Sequence, residues 1–116
     1  RFGKLRNLVR EREFWLKERV RLENYERSLK SGVFVSEEGK ERVKEMIERV
    51  LLYIEEIEQE IKREIEKEEE LREALKIVGS IPGIGEVNGV VILVETGLFK
   101  GFRRGKEVVS YAGIVP

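Results

Sequence analysis

An all-α fold is predicted by three observations on this sequence. Apolar residues recur at alternating spacings of four and three over a long central stretch. Charged residues make up 40% of the chain, well above the roughly 25% of ordinary globular chains and typical of long exposed helices. Pro82 and three glycines fall in one short segment, Gly79–Gly85, which breaks the long helical pattern before it.

The first helix is expected from about residue 2 to residue 30. Leu8, Trp15, Leu22 and Leu29 recur every seven residues, with Leu5, Val9 and Leu16 beside them. Arg12, Arg19 and Glu26 alternate with them, so the apolar stripe is narrow. Trp15, at a seam position, is expected in the core. Gly32 is placed to end this helix in a left-handed conformation. Val33-Phe34-Val35 then forms a connector expected to cover the end of a hairpin. Ser36 is a suitable N-cap for the next helix, and Glu37 and Glu38 suit the positive end of its dipole.

The second helix is expected over 36–78. Val43, Ile47, Val50, Ile54, Ile57 and Ile61 follow a period of 3.5, which predicts a left-handed coiled coil. The register skips Glu64 and Glu68 and resumes at Leu71, Leu75 and Val78, while Ile65 lies one position off it. From Arg1 to Ser31 there are 10 basic and 5 acidic residues; from Gly32 to Gly79 there are 9 and 15. Opposite charge on consecutive helices favours their pairing as an antiparallel hairpin. The six seam residues from Val43 to Ile61 are also expected to join two copies of the chain, because part of the second helix extends beyond the reach of the first. Residues 1–78 are thus read as a coiled-coil hairpin and 79–116 as a separate small module.

In that module Pro82 stops the helix and three glycines permit tight turns. Residues 86–96 carry β-favouring Val, Ile and Thr, but a lone strand would lack a partner, so a short helix is expected. A loop over 97–105 and a last helix over 106–112 follow. The pattern is helix, hairpin, helix. Gly83 and Gly85 let a phosphate approach the backbone, and N–H groups near Ile84 and Glu86 supply donors at a helix N-terminus. Lys100, Arg103, Arg104 and Lys106 surround Phe99 and Phe102, a combination that grips phosphates and stacks on bases. The alternative is a solvated loop anchored by its phenylalanines, and a hairpin that is only a turn. The Glu86 carboxylate repels an anion unless it points away.

Several classes are excluded. The chain has no Cys and no His, so disulfide scaffolds, Cys/His zinc sites and His-based triads are ruled out within it. The glutamate runs read as solvated faces, and no metal site or cofactor is expected. No apolar run approaches the roughly 20 residues of a membrane span, so no membrane partner is expected and a cytoplasmic location is. The absence of an initiator Met suggests a piece of a longer protein.

Ile81-Pro82-Gly83-Ile84-Gly85, Glu95-Thr96-Gly97, Phe102 and Tyr111-Ala112-Gly113-Ile114-Val115-Pro116 together carry a resemblance. This string is similar to the transposase domain of insertion-sequence transposases related to the Piv DNA invertase, the DEDD transposases that use a structured guide RNA. It covers about Leu71 to Pro116. The charged helices look like that family's coiled-coil linker by pattern and placement alone. The chain departs from the family where a Thr-Ala pair is replaced by Asn88-Gly89, and where Arg103-Arg104-Gly105 stands in place of a capping Ser.

The resemblance implies DNA as a partner, with guide RNA as a second one, and paired subunits. It also implies that catalysis lies elsewhere. The family's RuvC-like nuclease with its four metal-binding acidic residues precedes the coiled coil, and its nucleophilic Ser lies beyond the Tyr-Ala-Gly segment. Ser110 precedes Tyr111 and is on the wrong side. No catalytic residue is expected here. A structural coiled-coil scaffold and a DNA-repair subunit with a lone helix-hairpin-helix are the alternative readings.

Overall fold

The computed structural model describes residues 2–96. Four helices and no strands occur among them: α1 Gly3–Lys30, α2 Glu37–Glu66, α3 Glu69–Gly79 and α4 Gly85–Thr96. The fold class is all-α. The expected loop over 97–105 and the helix over 106–112 lie outside the described residues.

The chain divides into two compact units, one of residues 10–59 and the other of the described residues in 1–9 and 60–116. In the first, α1 and α2 run antiparallel. Arg12 Nε donates to Glu58 Oε2 at 2.9 Å, and the Trp15 and Tyr53 rings lie 5.0 Å apart. Val50, Ile54 and Ile57 are the buried apolar residues of this unit. Trp15 is half-buried rather than in the core. Its indole N–H reaches Glu11 Oε2 at 3.1 Å, with Phe14 edge-on to the ring. An amphipathic side chain on so narrow a stripe keeps its polar edge toward water.

The turn between α1 and α2 corrects two expectations. Gly32 is not left-handed; positive φ among the described residues occurs only at Gly83 and Gly85. Gly32 is needed for space, because a Cβ there would collide with Cγ2 of Val35. The connector also covers less than expected. Val35 turns inward, but Phe34 is 100% exposed and Val33 nearly so. Ser36 does cap α2: its Oγ accepts the Gly39 N–H at 2.9 Å, ahead of Glu37 and Glu38 in the first turn.

The second unit shows why the expected helix over 36–78 is broken. Lys67 and Glu68 interrupt it, and Glu68 adopts an extended conformation (φ −123°, ψ 109°) at the head of α3. In an unbroken helix, the buried Ile65 and Leu71 would sit roughly 120° apart around the axis. The break re-phases the chain, so that Leu71, Ala74, Leu75 and Val78 are buried as well as Ile61 and Ile65. It also relieves repulsion within the carboxylate run from Glu66 to Glu70 and places Glu69 and Glu70 in the first turn of α3, where the dipole favours them. Leu5, Leu8, Val9, Val90 and Leu93 complete this unit's buried apolar set.

Glu64, polar at a seam position, is satisfied from two sides. Lys67 Nζ lies 2.9 Å and Lys4 Nζ 3.0 Å from its Oε1. The hydrogen bond from Lys67, then that from Lys4, holds the Glu64 carboxyl below the ordinary carboxylate range. With the folded value depressed, this stabilisation is present above the unfolded value and fades as pH falls through the folded one. A carboxyl-carbon NMR titration should therefore give Glu64 a midpoint below the ordinary glutamate range. Lys67→Met and Lys4→Met should each raise it. A midpoint unmoved by either substitution would refute the pairing.

Candidate nucleic-acid interface

α3 and α4 are joined by a short turn and pack against each other. The exit from α3 is closed by local bonds: the Ser80 and Ile81 N–H groups donate to the carbonyls of Ile77 and Val78 at 3.3 and 3.2 Å. Ser80 Oγ also donates to the Ile77 carbonyl, at 2.6 Å. Pro82 is exposed in the turn, and the Ile84 N–H returns to the Ile81 carbonyl at 3.2 Å.

Gly83 and Gly85 have φ of 85° and 72°, a left-handed conformation that disfavours every L side chain by roughly 1–2 kcal/mol. A Cβ at either would meet no atom within 4 Å. The hairpin therefore requires glycine for its backbone path, and the same two positions leave the backbone bare to solvent. The first N–H groups of α4 have no intrahelical acceptor, so the hairpin ends on a set of exposed donors.

Gly89 has a different purpose. A Cβ built there would lie 3.0 Å from Leu75 Cδ1, 3.6 Å from Val78 Cγ1 and 3.7 Å from the Gly79 nitrogen. The glycine lets α4 lie directly on α3, with Val90 and Leu93 buried. From sequence, the Asn88-Gly89 pair looks only like a weak point in a short helix. The contact that explains it is tertiary.

The structure places Gly83, Ile84, Gly85 and Glu86 together at the hairpin and the first turn of α4. Glu86 is exposed. Lys100, Arg103, Arg104 and Lys106 lie outside the described residues. Of the seam residues, Val50, Ile54, Ile57 and Ile61 are buried within a single chain, and Val43 and Ile47 are half-buried. Ser28 and Ser31 donate, like Ser80, to local carbonyls, those of Tyr25 and Ser28. Among the described residues no cluster of acidic side chains could hold a metal ion, and no helix is long and apolar enough to cross a membrane.

Sequence reasoning misses two cations. Arg72 and Lys76, one turn apart on the exposed face of α3, line a groove of about 490 Å³ with Glu66, Gly79, Ser80 and Glu86. On a charged helix such residues read as a solvated face. Only the packing of α4 on α3 brings them beside the hairpin.

Residues 75–116, less than half of the chain, match the model of the transposase IS116/IS110/IS902 family. The matched segment begins in α3 and includes the whole hairpin and α4. This likeness supports an insertion-sequence transposase and, with it, DNA as the partner. No curated protein and no solved structure matches the chain.

Proposed function

We propose that the chain is the dimerising and nucleic-acid-contacting part of an insertion-sequence transposase of the DEDD, guide-RNA-dependent kind, with its catalytic residues outside these 116 positions. The observation that carries the reading is the hairpin at the head of the family-matched segment. Its left-handed Gly83 and Gly85 expose backbone donors at a helix N-terminus, the arrangement that binds a phosphate without reading sequence. Arg103 and Arg104 are proposed as supporting cations, with Lys100 and Lys106 beside them.

Dimerisation is supported by apolar side chains that α1 and α2 leave exposed in the unit of residues 10–59. Phe14, Val20, Met46, Leu51 and Leu52 are each about half exposed, apolar surface that pairing with a second copy would remove from water. Recombination of two DNA partners suits paired subunits.

The test is a titration of duplex DNA and of structured RNA into the chain at several salt concentrations. Weak binding to duplex is expected, with a log–log salt slope of about 2–4 in magnitude, because few cations displace few counterions. No binding at low salt would leave the hairpin as a structural turn.

A further inference from the structure

We propose that Arg72 and Lys76 form a second backbone-phosphate subsite for duplex DNA, in the groove between α3 and the start of α4. The proposal rests on the DNA-contacting reading above and extends it to residues that reading does not use.

The two cations stand at an i,i+4 spacing on α3, so their side chains share one face of the helix. Both are exposed and line one groove of about 490 Å³. Neither makes an ion pair among the described residues, whereas Lys4, Arg12, Arg21 and Lys67 there do. On a helix whose first turn is acidic, two cations left without a carboxylate partner are available to an outside anion. The groove's apolar side is formed by Ile65 and Leu75, both buried. An apolar wall beside a charge lowers the local dielectric and strengthens its attraction for a phosphate. Arginine supplies a planar fork that matches two phosphate oxygens, and lysine supplies a compact second charge.

The groove ends at Ser80 and Glu86, which flank the hairpin. The Ile84 N–H is taken by the Ile81 carbonyl, but a strand lying against the backbone of Gly85 and Glu86 still has its neighbouring backbone beside Arg72 and Lys76. This also answers the difficulty posed by Glu86. Its carboxylate opposes an anion at the hairpin, but it borders the same groove as the two cations, which offset it. Glu66, on the same rim, opposes the anion too, so the two signs of charge predict opposite effects on affinity.

The experiment compares the 116-residue chain with Arg72→Ala/Lys76→Ala, with Glu86→Gln, and with the charge-matched Lys44→Ala/Arg49→Ala, whose two positions are exposed on α2 in the other unit. Each is titrated with the same short duplex across a range of salt. Arg72→Ala/Lys76→Ala should weaken binding about tenfold at low salt and make the log–log salt slope shallower by about 2. Glu86→Gln should tighten binding. Lys44→Ala/Arg49→Ala should leave the slope unchanged. Alanine is a good helix former, so the circular dichroism of all variants should match the parent. Parent-like binding and slope in Arg72→Ala/Lys76→Ala, or the same loss in both double variants, would overturn the subsite while leaving the DNA reading intact. Failure of the parent chain to bind duplex would overturn the DNA reading itself.

Discussion

Gly89→Leu should destabilise the α3–α4 unit by about 1–3 kcal/mol, the range for forcing extra methylenes into a close-packed contact. The position faces α3 at a distance that admits no side chain of that size. A Cβ at residue 89 would stand 3.0 Å from the Leu75 side chain, with Val78 and the Gly79 backbone nitrogen just behind it. Leucine would run into backbone, which cannot turn aside, and α4 would have to lift off α3. Gly89→Ala is the informative contrast. Its Cβ is tight only against the far end of the flexible Leu75 side chain and in ordinary contact with Val78 and Gly79, and alanine gains roughly 1 kcal/mol of helix propensity over glycine. The two effects should nearly cancel. Thermal unfolding of the three proteins checks the pair. Equal destabilisation by Ala and Leu would mean that glycine is required there for its backbone rather than for space.

Gly89 also shows where the sequence stops informing. The 4-3 spacing through Val50, Ile54, Ile57 and Ile61 locates the buried face of α2, because a helix's apolar period is written in its own residues. Ser36 as a cap and Pro82 as a stop are local in the same way. The break at Lys67 and Glu68 is half visible: Ile65 is off the register and two glutamates sit in it, but whether the helix shifts its face or breaks depends on what Leu71 and Leu75 pack against. Gly32 is ambiguous from sequence because a glycine after a helix has two uses, a left-handed turn or room for a neighbour. Choosing between them requires the position of Val35. The groove at Arg72 and Lys76 is invisible for the same reason, since its far wall belongs to Glu86, which lies beyond Lys76 and across a turn.

Ile54→Asp/Ile57→Asp should have the largest effect of any substitution considered, unfolding the unit of residues 10–59. Both side chains are buried within one chain, and each new carboxylate would lose its water without gaining a partner. That costs several kcal/mol per site, against a total stability of about 5–15 kcal/mol for a typical domain. Circular dichroism should show a marked loss of helix at neutral pH, with part of it recovered in mild acid as the aspartates are neutralised. Retained helix at neutral pH would mean that these positions are less enclosed than the structure has them. It follows that this double variant cannot by itself report on dimerisation, because a chain that unfolds also dissociates. Leu52→Glu serves that purpose. Leu52 is 58% exposed, so a charge there stays hydrated in the monomer and is buried only if a second chain covers it. If two copies pair through the exposed apolar side chains of α1 and α2, Leu52→Glu should lower the sedimentation mass at micromolar concentration and leave the helix content intact. A parent chain already monomeric at high micromolar concentration would refute the pairing.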